Sequence, residues 1–248
     1  MNGADLLDRV RVVLSHTTHP GNIGATARAM KTMGVSRLYL INPKIFPAEE
    51  ANARAAGAED LLCAATVCAS LDQALAGTVV AVACSGRHRD LSHPQLTPPE
   101  AAATLIDYAH DGEVALVFGT EMSGLTTAEV MKCRWLSRIP ANPAYSSLNL
   151  AAAVQVMAYE MRNAAFAKAE SGRASPAALS AGLRSGEPAS FDEIEMFYRQ
   201  LEQKMIVIGF LDPANPKRLM QRMRRLFARS GLEKEEVNIL RGILSAIK

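Results

Sequence analysis

Four short runs of apolar residues frame the chain: 9–15 (RVRVVLS), 37–41 (RLYLI), 78–84 (TVVAVAC) and 113–118 (EVALVF). The first is rich in β-branched side chains, and each predicts a strand. The last two are almost continuously apolar, the pattern of a sheet covered on both faces. Weaker runs at 66–69 and 135–139 predict two further strands. Helical spacing predicts helices over 22–33, 48–56, 71–76 and 100–108, and from Ser147 to near Arg162. Asn22 is the expected N-cap of the first and Ser146 or Ser147 that of the last, with Gly34 as a C-cap. In the last helix Leu150, Val154, Met157 and Met161 form one apolar stripe. Ala152, Val156 and Tyr159 form a second, which predicts burial on more than one side. Strands alternating with helices at these intervals predict an α/β domain with a largely parallel sheet.

Residues 168–190 break the pattern, being rich in Ser, Gly, Ala and Pro without apolar periodicity, and read as a linker. Beyond them 191–210, 215–229 and 232–247 predict three helices. The chain thus divides into an α/β domain over 1–167, a linker over 168–190 and a small all-helical extension over 191–248. Leu219, Met223 and Leu226 stripe the middle helix. Lys217, Arg218, Arg222, Arg224, Arg225 and Arg229 share that segment without an acidic residue, as either a solvated face or a nucleic-acid contact.

Composition narrows the class. With 49% hydrophobic and 21% charged residues over 248 positions, the chain is globular. A net charge of +2 does not by itself indicate nucleic-acid binding, and 5% aromatic residues argue against stacking many bases on exposed rings. Cys63, Cys68, Cys84 and Cys133 form no C-x-x-C pair and have no histidine at ligand spacing. They read as reduced, mostly buried thiols of a cytoplasmic protein with no metal. No apolar run suits a signal peptide or a membrane span.

Three loops carry candidate chemistry. In 139–150 (IPANPAYSSLNL) two prolines forbid helix and central strand, leaving a rigid loop with open backbone groups that suits a small polar ligand. In 22–28 (NIGATAR), Gly24 permits close approach of a backbone or ligand and Arg28 projects from the first turns. The G-x-G-x-x-G spacing of dinucleotide binders is missing. In 118–125 (FGTEMSGL), two glycines flank Glu121 at a strand's carboxyl end, where open α/β sheets place ligands. Glu121 could hold a cation, orient Arg28 or cap the next helix.

N-x-G-x-x-x-R, F-G-x-E-x-x-G-L and I-P-x-N-P-x-Y-S-S-L-N-L together resemble the three motifs of the SPOUT superfamily, in its TrmH-like RNA 2′-O-methyltransferases. ARAMKTMG at 27–34, NPAYSSLNLAAAVQVMAYE at 142–160 and NILRGIL at 238–244 are similar to the TrmJ family. The likeness covers 9–247 apart from the linker. It implies a parallel sheet with a C-terminal trefoil knot, a homodimer, and no metal. It also implies S-adenosyl-L-methionine held by Cys84, Ser85, Gly86, Gly119, Ile139, Ser146, Ser147, Leu148, Asn149, Leu150 and Ala151. The implied reaction methylates the ribose 2′-hydroxyl of nucleotide 32, C or U, in the tRNA anticodon loop. Arg28 matches the family's catalytic arginine. A guanidinium is a poor base, so its implied role is to stabilise developing alkoxide or fix a phosphate. Asn22 and Glu121 would position Arg28 or the ribose, and Ser147 and Asn149 would close the site. Arg28, Arg87, Arg218, Arg222, Arg224 and Arg225 would contact tRNA. The alternatives are methylation of another tRNA position or of rRNA, and a non-catalytic RNA-binding adaptor.

Overall fold

The structure, a computed structural model, describes residues 1–86, 94–171 and 186–247, with 168–171 as backbone only. Seven strands form one parallel sheet: β1 (Val10–Ser15), β2 (Arg37–Ile41), β3 (Thr66–Cys68), β4 (Thr78–Cys84), β5 (Gln95–Leu96), β6 (Glu113–Phe118) and β7 (Trp135–Ser137). Their order is β3-β2-β1-β6-β4-β7-β5. The four apolar runs are strands within a residue of their predicted bounds. The two-residue β5 follows no apolar run and was not foreseen.

Helices α1 (Gly3–Leu7), α2 (Pro20–Met33), α3 (Glu49–Ala55), α4 (Glu59–Cys63), α5 (Leu71–Leu75), α6 (Pro98–Tyr108), α7 (Thr127–Val130) and α8 (Leu150–Ser171) surround the sheet. Side-chain alternation in the strands divides their residues between two cores. Val10, Val12, Leu14, Val80, Val82, Val114, Leu116 and Phe118 face one core, shared with α2, α6 and α8. The intervening Ala81, Ala83, Ala115, Val13 and Val117 face a second core, shared with α5 and α7.

α2 starts at Pro20, whose missing donor and fixed φ suit a first helical position. Asn22 is therefore inside the first turn and is not the cap, which frees its side chain for another use. The expected αL C-cap at Gly34 is present, with φ 79. Gly24 does permit a close approach, but the backbone that approaches is the chain's own: a Cβ there would lie 2.0 Å from the Ala51 carbonyl oxygen of α3. α8 is capped by Asn149, whose Oδ1 accepts from Ala151 N at 2.9 Å, and not by Ser146 or Ser147. Of its two stripes, Leu150, Val154, Met157 and Met161 are buried, whereas Ala152 and Tyr159 are exposed and Val156 half-buried.

α8 continues to Ser171, four residues into the stretch read as a linker, and 172–185 lie outside the described residues. Pro188 already pairs with Glu233, and Ala189 is buried among the C-terminal helices. Those helices are α9 (Phe191–Val207), α10 (Leu219–Ser230) and α11 (Lys234–Ala246), around a core of Phe197, Tyr198, Leu201, Met205, Val237 and Leu244. The apolar side of α10 is Leu219, Met220, Met223 and Phe227; Leu226 is 48% exposed and lies off it. The helical unit is tied to the sheet. Phe191 enters the second core, Gly77 N donates to Asp192 Oδ2 at 2.9 Å, and Arg134 stacks on Trp135 at 4.3 Å while donating to the Ala228 carbonyl.

Candidate active site

Strands β1, β6, β4 and β7 are adjacent, so the loops leaving their carboxyl ends meet at one edge of the sheet, where parallel α/β folds bind ligands. There a cavity of about 410 Å³, within the range of small-molecule sites, is lined by all three of the later loops. Cys84, Ser85 and Gly86 follow β4; Gly119 and Glu121 follow β6; Ile139, Ser146, Ser147, Leu148 and Leu150 come from the proline loop and the start of α8. Nine of the eleven residues expected around the methyl donor thus share one cavity. Asn149 and Ala151 do not line it. Asn149 turns away to cap α8 and Ala151 is buried.

Glu121 neither pairs with Arg28 nor caps the following helix, which Thr126 caps. It accepts hydrogen bonds from Thr18 N (3.1 Å), Thr18 Oγ1 (2.9 Å), His19 N (3.2 Å) and Asn22 Nδ2 (2.9 Å). Asn149 Nδ2 in turn donates to Asn22 Oδ1 at 2.9 Å. The relay Asn149–Asn22–Glu121 fastens the starts of α8 and α2 to the loop after β6. Burial alone would raise the Glu121 carboxyl, but the donors from Asn22 and Thr18 outweigh it and hold the pKa at about 2. Glu121 is therefore an anion at neutral pH, and it adds negative charge to the cavity wall.

That depression has a stability consequence. The folded-state pKa lies below the ordinary 4.5, so the stabilisation is complete above 4.5 and fades as pH falls toward about 2. Glu121→Gln, which cannot ionise, is expected to melt below wild type at pH 7, with the gap narrowing between pH 5 and 3 in thermal unfolding. A gap of constant size across that window would contradict the assignment.

Gly119 is required by its own loop. A Cβ there would lie 2.1 Å from both Gly124 C and Leu125 N, so the close approach is made by the loop folding back on itself. Gly124, at φ 67, makes the return, and Thr120 pairs with it as a β-bridge. In the proline loop, Asn142 accepts from Ala144 N through Oδ1 (3.0 Å) and from Tyr145 N through its carbonyl (2.9 Å), which fixes an otherwise exposed turn. Burial pushes the Cys84 thiol well up, so at neutral pH it presents no thiolate to an electrophile in the cavity.

Arg28 is exposed on α2, does not line the cavity, and has no side-chain hydrogen bond or ion pair among the described residues. Arg87 lies outside the described residues. Arg218 and Arg222 are exposed and Arg225 half-buried, whereas Arg224 is engaged internally: it is paired with both Glu195 oxygens and stacked at 4.3 Å on Tyr198. Thr18, Ser137, Met122 and Ala153 belong to the site and were not anticipated. Thr18 lies 103 positions from the carboxylate it holds, and nothing local marks it. No group of three His, Cys, Asp or Glu suited to a metal occurs among the described residues.

Residues 9–159 match the SpoU rRNA Methylase family, and 192–248 match the C-terminal domain of tRNA methyltransferase TrmJ. The chain is 48% identical over 241 residues to the tRNA (cytidine/uridine/adenosine-2′-O-)-methyltransferase TrmJ of Pseudomonas aeruginosa, covering 97% of this chain and 94% of that one. It is 47% identical to the tRNA (cytidine/uridine-2′-O-)-methyltransferase TrmJ of Pectobacterium atrosepticum, covering 98% of each. Among solved structures, TrmJ from Z. mobilis ZM4 superposes with a TM-score of 0.79 at 31% identity, covering 95% of this chain and 97% of that one.

Proposed function

Because the chain belongs to the SpoU methylase family and ends in a TrmJ-type domain, we propose that it transfers a methyl group from S-adenosyl-L-methionine to the ribose 2′-hydroxyl of nucleotide 32 in the tRNA anticodon loop. The observation that carries this is the convergence of Gly119, Ile139 and Leu148, from separate loops, on one cavity. The cavity suits the donor. Ile139, Leu148 and Leu150 offer apolar walls for a base, loop backbone offers donors and acceptors to read its edge, and ionised Glu121 favours a cationic ligand. When bound, the donor supplies a methyl group on a positively charged sulfur, open to attack by an oxygen nucleophile.

The chain's own part is positioning and charge. A ribose hydroxyl is a weak nucleophile, so holding it in line supplies much of the acceleration. Arg28 stabilises charge that develops on that oxygen or fixes the neighbouring phosphate. The Asn149–Asn22–Glu121 relay acts through the loops it fastens, and Ser147 closes the cavity. Arg28 stands apart from the cavity of its own chain, and α8 leaves Ala152 and Tyr159 exposed and Val156 only half-buried. Both features support a homodimer in which the Arg28 of a second copy completes the site. The knot implied by the resemblance, and action in the cytoplasm where tRNA is modified, belong to the same reading. Arg218, Arg222 and Arg225 serve tRNA phosphates, and Arg224 keeps α9 and α10 together.

The test is mass-spectrometric mapping of ribose methylation on bulk tRNA incubated with protein and donor. One new 2′-O-methyl group at nucleotide 32 is expected. Methylation elsewhere in tRNA, or only in rRNA, would move the target. Intact donor binding with no transfer to any RNA would make the chain an adaptor.

A further inference from the structure

We propose that the turn between α9 and α10 is a nucleotide-binding cleft in which Phe210 stacks one unpaired base of the RNA while Arg218 and Arg222 hold the adjoining phosphates. The proposal rests on the RNA reading above and adds a second, separate recognition site to it. The cleft encloses about 680 Å³, between the end of α9 and the start of α10.

Phe210 is 68% exposed, more than any other phenylalanine, in a chain with few aromatic residues. Its backbone is nonetheless held in place. The Phe210 and Leu211 amides both donate to the Met205 carbonyl at 2.9 Å, and Leu211, 4% exposed, anchors the turn in the helical core. A ring held out in water from an anchored backbone suits a platform for a base, since every base presents a π-face and stacking needs no particular sequence.

The charges beside it point to a polyanion. Lys217, Arg218 and Arg222 line the cleft and are exposed, and none has a carboxylate partner among the described residues. On the same helix Arg224 is paired with Glu195, so the fold does neutralise an arginine where an acid is in reach. The cleft holds one acid, Asp212, whose Oδ1 is occupied by Ala214 N at 2.9 Å. Lys217 takes a left-handed conformation, φ 49, costly for a side chain of its kind, and so turns the chain into α10. The neighbouring exposed Val207 and Ile208 would also suit a protein partner, but three cations beside an aromatic ring favour RNA.

The experiment measures binding of a fluorescein-labelled, unmodified tRNA transcript to the full chain over a range of salt. Phe210→Ala is expected to weaken binding about tenfold without changing the slope of log K against log salt. Arg218→Ala and Arg222→Ala are each expected to flatten that slope by about 1. Phe210→Trp should keep wild-type affinity, and its emission should be quenched by the transcript over the steady signal of Trp135, which is 7% exposed. Melting temperatures should not move, because none of the three side chains is buried. Wild-type tRNA affinity in Phe210→Ala, or unquenched emission in Phe210→Trp, would overturn the cleft while leaving the methyltransferase reading intact. So would a loss of self-association in Phe210→Ala with tRNA affinity unchanged. If the wild-type chain bound no tRNA, the RNA reading itself would fail.

Discussion

Replacing Arg28 with alanine is expected to lower the rate of methyl transfer about 10²–10³-fold at saturating tRNA and donor, the usual loss when one preorganised charge partner of a developing oxyanion is removed. The expectation has an unusually clean background. Arg28 is exposed, makes no side-chain hydrogen bond among the described residues and does not line the cavity of its own chain. The variant should therefore keep its melting temperature and bind donor within about twofold of wild type by calorimetry, since no cavity contact is removed. Labelled-methyl incorporation into tRNA reads the loss. Because Arg28 is proposed to serve the site of a second copy, Arg28→Ala mixed with a variant dead in the cavity should recover part of the activity. Full activity in Arg28→Ala alone would remove it from the chemistry.

Gly119→Ala is the second large effect expected, for a steric reason. The new methyl group would lie 2.1 Å from backbone atoms of Gly124 and Leu125, and backbone cannot swing aside as the end of a long side chain can. The loop must open, at a cost of about 1–3 kcal/mol typical of overpacking, and the cavity wall moves with it. Donor affinity is expected to fall at least tenfold, with a lower melting temperature. An alanine variant that binds donor as wild type does would show that the fold-back of this loop is unrelated to ligand binding.

The sequence was most legible where one physical signal dominates. The strands announced themselves because a sheet buried on both faces needs uninterrupted apolar runs, as Val80–Ala83 and Val114–Phe118 provide. Helices α1, α4 and α7, of four or five residues, carry little periodicity and were not predicted, whereas α5, equally short, was. The start of α2 was misplaced because Asn22 has the chemistry of a cap. Pro20 takes the first helical position, and the Asn22 side chain serves Glu121 and Asn149. At the site the loops were readable from their glycines and prolines. Their partners were not, since Thr18 meets Glu121, and Asn149 meets Asn22, across more than a hundred positions. The second stripe of α8 showed the same limit: an apolar pattern tells that a face seeks cover, and not whether the cover is in the same chain.

The anchoring of the helical unit by Phe191, Asp192 and Arg134 has a consequence for substrate choice. If the cavity and the cleft beside Phe210 both hold RNA, the molecule, with its two ends so joined, acts as a caliper. A full-length RNA that spans the gap gains the second grip almost without translational cost, as in any two-point attachment, whereas a short hairpin that reaches only one jaw forfeits that avidity. Discrimination between whole and fragmentary RNAs would then be a matter of reach, set by the spacing of the jaws and not by the letters they touch.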